Sequence, residues 1–244
     1  MMLNQKRSRT RFDAAMVASV LLGCFAFLWL VAPLTATAAP PLAQTIAVTS
    51  TTDELNGNNG ACSLREAIQV ANAGSNAAYP ECTLSGDSDG TYIIDLPGGT
   101  YTLALAGAGE DNNATFDLDI EASVSIIAAS GVPGNTIVQA GTTADNGIDR
   151  VFHVESGATV TISNLTVRHG AVTTTGATDG GGGILNQSTL NVNNAIITTN
   201  RVTGTGASGG GILNTGTLAI TNSTISSNSS LRAGGKPPPG RRLR

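Results

Sequence analysis

The chain has 244 residues, is 41% hydrophobic but only 4% aromatic, and contains 30 glycines. Its basic residues collect at the two ends, so residues 39–235 hold 16 carboxylates against five arginines (Arg65, Arg150, Arg168, Arg201 and Arg232). A body so negative is repelled by nucleic acid and by anionic membrane surfaces, which excludes both as partners.

Residues 1–38 read as a secretory signal peptide. Lys6, Arg7, Arg9 and Arg11 precede an apolar run over residues 14–32, and Ala36-Thr37-Ala38 supplies a small-x-small cleavage site. The run is about as long as the ~20 residues that span a bilayer, so an uncleaved anchor is the alternative; Pro33 and the cleavage site favour removal. Leu21-Leu22-Gly23-Cys24 looks like a lipoprotein box, but the apolar run continues past the cysteine, and no Arg-Arg pair marks a twin-arginine signal. The mature chain is therefore expected outside the cell or on its surface, without an integral membrane domain.

Residues 39–90 read as an N-terminal cap. Without the leader only Cys62 and Cys82 remain, and one pair of thiols in an exported chain implies one disulfide, worth about 3 kcal/mol by loop entropy. The pair is too sparse for a zinc site, with no histidine nearby. Ser63 with Glu66 three residues on is a capping box, and Leu64, Ala67, Ile68 and Ala71 follow at the spacing of an amphipathic helix of about ten residues. With a strand near Ile46, this helix is expected to plug the open end of the repeat array. Arg65 gripping a ligand carboxylate is the alternative.

Residues 91–230 are expected to be stacked coils. The densest acidic constellation is Glu110, Asp111, Asp117, Asp119 and Glu121. Strand alternation turns Leu118 and Ile120 inward and Asp117 and Asp119 outward, where two adjacent carboxylates are a weak calcium candidate. Solvated polar residues on the outside of a strand are the competing reading. His153 and His169 each read as surface or turn residues, so no catalytic or cofactor-binding residue is assigned, and no cofactor.

The repeat itself lies downstream. Gly-Gly-Gly-Ile-Leu-Asn at residues 181–186 recurs at 209–214, and Leu190, Val192, Ile197 and Asn200 recur as Leu218, Ile220, Ile225 and Asn228. A looser copy begins at Thr159. Such a period means stacked units, each too thin to bury an apolar face alone. Period-2 pairs (Val160 and Ile162, Leu190 and Val192, Leu218 and Ile220) predict short strands with one face inward. Asn164, Asn194 and Asn222 follow at one-residue corners, where asparagine tolerates positive φ, and are expected to stack as an amide ladder about 4.8 Å apart. The reading is a single-stranded, right-handed parallel β-helix, all-β apart from its capping helix. The glycine runs lack the lysine and hydroxyl of a phosphate cradle and read as return loops. The Asn-x-Ser/Thr sequons at Asn113, Asn164, Asn186, Asn222 and Asn228 are what a Thr- and Asn-rich chain produces by chance. Thr159, Thr189 and Thr217 should align outside one sheet as a weakly charged hydroxyl array suited to carbohydrate. Over residues 231–244, Lys236-Pro-Pro-Pro breaks what Gly234-Gly235 would begin. The tail reads as a truncation or frameshift, or else as a basic segment, and the preceding coil is expected to self-associate through a bare edge.

Two stretches resemble known proteins. Cys62-Ser-Leu-Arg-Glu-Ala-Ile68 resembles the signature that opens many secreted bacterial β-helix proteins, and the Gly-Gly-Gly-Ile-Leu-Asn and Ile-x-x-Asn elements are similar to the repeat of chlamydial polymorphic outer membrane proteins, with Ile where that repeat has Phe. The resemblance implies a pectin-lyase-like β-helix on or outside a bacterial cell and brings no catalytic residues; the acid and histidine motifs of polygalacturonase-like enzymes are missing. The expected function is adhesion or surface contact, with surface glycans or other cell-surface molecules as partners. A polysaccharide-degrading lyase or hydrolase is the alternative.

Overall fold

The computed structural model describes residues 43–86, 89–107, 111–173, 176 and 180–231. The leader, Glu110 and the Pro/Arg tail lie outside them. Each turn of the chain opens on a strand of one seven-stranded sheet: β1 (Gln44–Ala47), β3 (Thr91–Leu96), β6 (Ser123–Ala128), β9 (Thr159–Ser163), β13 (Thr189–Asn193) and β17 (Thr217–Thr221). Short β2 (Leu84–Ser85) closes its first edge, antiparallel to β1. A second sheet stacks β4 (Gly99–Thr102), β7 (Thr136–Gln139), β10 (Thr166–Arg168), β14 (Ile196–Thr198) and β18 (Thr224–Ser226). A third stacks β5 (Leu118–Ile120), β8 (Phe152–Val154), β12 (Ile184–Asn186) and β16 (Ile212–Asn214). Later turns add β11 (Ala171–Val172), β15 (Arg201–Val202) and β19 (Ser229–Ser230). Among the described residues every pairing apart from β1 with β2 is parallel, so the body is a parallel β-helix with one α-helix, α1 (Leu64–Ala73).

The register shows why the sequence folds this way. Ile46, Ile94, Ile126, Ile162, Val192 and Ile220 are partners in successive strands and make one inward column. The first five are fully buried, and burying each such side chain contributes about 1.5–3 kcal/mol. Ile220 and Ile225, in the last turn, remain 43% and 45% exposed, because among the described residues no further turn covers them. Where the repeat alone suggests two strands per coil, Ile-Leu-Asn of the hexapeptide makes another (β12, β16) and Arg201-Val202 a further one. Only the glycines are the turn. Gly181 and Gly209 have φ of +81° and +73°, and a Cβ on Gly182 would sit 2.5 Å from the carbonyl oxygen of Gly210 in the next turn. The run is glycine because backbones stack there.

Asparagines tie the turns together at three places. Asn164, Asn194 and Asn222 all take left-handed backbone at the corner, and Asn194 Nδ2 donates to Asn164 Oδ1 at 2.8 Å. Buried Asn200 accepts from the Gly170 N–H at 2.9 Å and donates to Asn228 Oδ1 at 3.0 Å. Asn186, also buried, donates to Asn214 Oδ1 at 2.5 Å. A buried amide is tolerated when its bonds are made, and an identical residue one turn on makes them.

The capping helix shows what the Cys62–Ile68 motif does. Cys62 is bonded to Cys82; Ser63 Oγ accepts the Glu66 N–H and a Glu66 carboxylate oxygen accepts the Ser63 N–H; Leu64, Ala67 and Ile68 are buried. Arg65 is 1% exposed. Its Nε and Nη2 hold the Asp53 carboxylate at 2.7 and 3.2 Å, and its Nη2 and Nη1 donate to the carbonyls of Phe116 and Asp117 at 2.8 Å each. Asn72, at the other end of the helix, donates to the Asp119 carbonyl and accepts from the N–H groups of Glu121 and Ala122. Strand β5 begins the third sheet and, among the described residues, has a neighbouring strand on one side only. Side chains of α1 take the place of the missing strand on its other edge, an answer to the cost of unpaired buried backbone. Arg65 is thus enclosed by the chain itself and cannot grip an external carboxylate.

Replacing Arg65 with alanine leaves Asp53 buried and two carbonyls unpaired, and should cost about 3–5 kcal/mol in urea unfolding. Lysine cannot reproduce the fork and should rescue little of it. A loss below 1 kcal/mol would show that the edge is satisfied in some other way.

Candidate functional site

Two outward surfaces have the make-up of sites. The first lies on the third sheet, where Asp119 of β5 and His153 of β8 are register partners between inward pairs: Leu118 and Ile120 on one strand, Phe152 and Val154 on the next. Adjacent strands stand about 4.8 Å apart, so stacked outward side chains touch. His153 Nδ1 lies 3.2 Å from Asp119 Oδ1, 2.9 Å from Glu155 Oε1 and 4.0 Å from Asp111 Oδ1. Asp111 comes from the connection between β4 and β5, which folds back over the sheet through left-handed Asn113 and Phe116. The Asn113 N–H donates to Asp119 Oδ2 at 2.9 Å. Beside the cluster, Arg150 Nη1 donates to Asp117 Oδ2 at 3.0 Å. An open groove of about 430 Å³, lined by Asp111, Glu121, Glu155 and Ser156, leads to it.

These positions revise three expectations. Asp117 and Asp119 do alternate with Leu118 and Ile120, but they are 2% and 0% exposed rather than on a solvated face, because α1 and the returning connection cover them. Nor do they share one ligand position: Asp117 pairs with Arg150, while Asp119 joins His153. His153, expected at a surface or turn, is 4% exposed and central to the cluster, whereas His169 is a turn residue, with φ of +60° and Nδ1 3.0 Å from the Gly141 carbonyl oxygen. Glu110 lies outside the described residues.

The electrostatics follow from burial. Desolvation pushes Asp117 up to about 7, against the pull of Arg150 in the other direction. It raises Asp149 and Glu155 as well, Glu155 with help from the neighbouring charges of Asp111 and Asp119. For His153 burial works downward, but the bond to Asp119 and the charge of Glu155 outweigh it and hold the imidazole above its ordinary value. Three carboxylates converging on one ring nitrogen leave the cluster negative even when the ring is protonated.

The second surface is the outer face of the seven-stranded sheet. Thr159, Thr189 and Thr217 are register partners. The column extends further than the repeat alone shows: Thr91 pairs with Ser123, and the Thr159 N–H donates to Ser123 Oγ at 3.1 Å. Ser125, Thr161, Asn191 and Ala219 make the neighbouring column. A shallow concavity of about 410 Å³ over Thr91, Ile93, Ser123, Ser125, Thr159 and Thr161 runs along it.

No family model matches the chain, and neither does any curated protein or solved structure. Function rests on geometry.

The raised groups share one sign. A carboxylate or imidazole with a higher pKa in the folded state than in the unfolded chain binds its proton more tightly when folded. Asp117, Glu155 and His153 therefore stabilise the fold most at the acidic end of the range and less as pH rises, the share of Asp117 being lost through about 7. Between pH 5.5 and 8.5, where ordinary carboxylates do not titrate, the melting temperature should fall as pH rises. Asp117→Asn should flatten that dependence, and a wild-type melting temperature that rises with pH would contradict the assignment.

Proposed function

We propose that this chain is an exported β-helix protein, secreted or held at a cell surface, that acts by contact and not by catalysis, and that its contact face is the outer side of the seven-stranded sheet. The observation that carries this reading is the hydroxyl column Thr91–Ser123–Thr159–Thr189–Thr217, repeating once per strand along five rungs. Rigid strands hold these groups at a fixed spacing of about 4.8 Å, so little ordering entropy is lost on binding. Their neighbours are mostly uncharged, which suits the hydroxyls of a neutral polysaccharide. The acidic body disfavours polyanions. The leader read from residues 1–38 supports export.

A second reading, a polysaccharide-degrading enzyme, is favoured by one observation, the convergence of His153 with three carboxylates beside an open groove. Spacing weighs against it. Glycosidase carboxylates stand about 5–5.5 Å apart in retaining enzymes and about 6.5–9.5 Å in inverting ones. The donor atoms here all lie within 4.8 Å of one another, closed around a point rather than set apart across a bond.

Binding of the full chain to xylan, mannan and β-glucan by affinity electrophoresis tests the choice. Retardation by at least one neutral glycan is expected, weakened about tenfold or more by Ser125→Glu or Thr161→Glu, substitutions at half-buried, outward strand positions that keep the fold. Equal retardation of wild type and variants, or none with any glycan, would remove this face from the account. Release of unsaturated product from polygalacturonate, with or without calcium, would put the enzyme reading first.

A further inference from the structure

We infer that Asp111, Asp119, His153 and Glu155 form a binding site for one divalent transition cation, of the Mn²⁺ or Zn²⁺ kind. The site is separate from the contact face and does not depend on it.

Four donors from three chain segments converge: Asp119 from β5, His153 and Glu155 from β8 and its end, and Asp111 from the returning connection. Their donor atoms all lie within 4.8 Å of one another. In a six-coordinate shell two donors on opposite sides of an ion, each at about 2.2 Å, are about 4.4 Å apart, so shifts of a few tenths of an ångström close this set around a single ion, and a tetrahedral shell needs shifts of about an ångström. Carboxylates too far apart to share an ion, or splayed into solvent, would not do so.

Charge and burial point the same way. Asp119 and His153 are 0% and 4% exposed, and the carboxylates of Glu155 and Asp111 turn back onto the same ring nitrogen. One imidazole nitrogen holds one proton and can donate it to one acceptor well, yet three carboxylates address it. Nε2 of the same ring is buried and has no hydrogen-bond partner among the described residues. The fold thus carries a buried imidazole whose Nδ1 is bonded to Asp119 and Glu155, with more negative charge around that nitrogen than one proton neutralises. A dication in place of that proton removes most of the excess.

The donor set selects the ion. Calcium and magnesium take oxygen ligands almost throughout, whereas an imidazole suits first-row transition ions, and mixed nitrogen and carboxylate ligation suits Mn²⁺ and Zn²⁺. Asp117, which the sequence paired with Asp119 as a calcium candidate, is not a ligand. It is held by Arg150 at the border of the site. The open groove beyond Asp111 and Glu155 supplies the entry path.

The test uses the untagged full chain, stripped with chelator and titrated calorimetrically with MnCl₂, ZnCl₂ and CaCl₂. Melting curves and ion content after dialysis accompany each titration. One equivalent of Mn²⁺ or Zn²⁺ is expected to bind at least tenfold more tightly than Ca²⁺ and to raise the melting temperature. Asp111→Asn and Glu155→Gln, at the solvent side of the cluster where folding is not at stake, should each weaken binding tenfold or more and remove the thermal shift. His153→Gln should abolish binding while circular dichroism still reports the β-helix. Absence of binding at millimolar ion, equal affinity in wild type and in Asp111→Asn and Glu155→Gln, or tighter binding of Ca²⁺ at these residues would each overturn the proposal.

Discussion

A single coil of this chain has one strip of Ile, Val and Leu and no means of covering it except another coil. Ile162 is buried because Ile126 lies below it and Val192 above, and the same holds along the whole inward column. Stability is therefore a property of neighbouring turns and not of any turn alone. Parallel stacking also forces equivalent residues together. Every side chain that recurs in register meets its own kind one strand away, and the residues that recur are those for which self-contact is favourable: aliphatics inside, asparagines at corners, threonines outside, and glycines where backbones meet.

A stack has ends, and the first end of this one determines the acidic site. Among the described residues no strand lies below β5, so its carbonyls and N–H groups need partners from elsewhere. The helix supplies them through Arg65 and Asn72, and the connection before β5 folds across the outer face to complete the cover. Covering the edge buries Asp117 and Asp119, which would otherwise be solvated outward residues. Burial raises Asp117, draws Arg150 onto it, and leaves Asp119 to be met by the outward residue of the next turn, which is His153. The cluster is a consequence of capping a β-helix beside a strand that carries carboxylates.

Much of this was legible in the residues. The hexapeptide repeat and its period-2 pairs specify parallel stacking, because alternation of Val160 and Ile162 with threonine admits one buried face, and the same alternation 30 residues later must stack on it. Ser63 and Glu66 announce a helix start, since both partners of the reciprocal bond lie within four residues. What was not legible depends on contacts between distant segments. Arg65 reads locally as a charged helix residue, and nothing within its own turn reveals that Asp53 and the residue 115–117 backbone enclose it. The meeting of Asp119 with His153 had a signal: Leu118-Asp-Ile120 and Phe152-His-Val154 share one apolar–polar–apolar frame, so stacking the frames puts the two polar residues together. That signal is faint because the early turns lack the glycine and asparagine markers that set the register of the later ones. Strand β12 was hidden for a related reason, as Ile-Leu-Asn after three glycines reads as the tail of a loop until its buried Asn186 is seen to pair with Asn214.

The central claim is that residues one period apart lie on adjacent turns. Methyl-labelled protein examined by nuclear Overhauser spectroscopy tests this most directly. The account predicts cross-peaks linking Ile126 with Ile162, Ile162 with Val192, and Val160 with Leu190, pairs that are far apart in sequence but neighbours in the stack. Methyl contacts confined to residues within a single repeat, with none joining one repeat to the next, would contradict it.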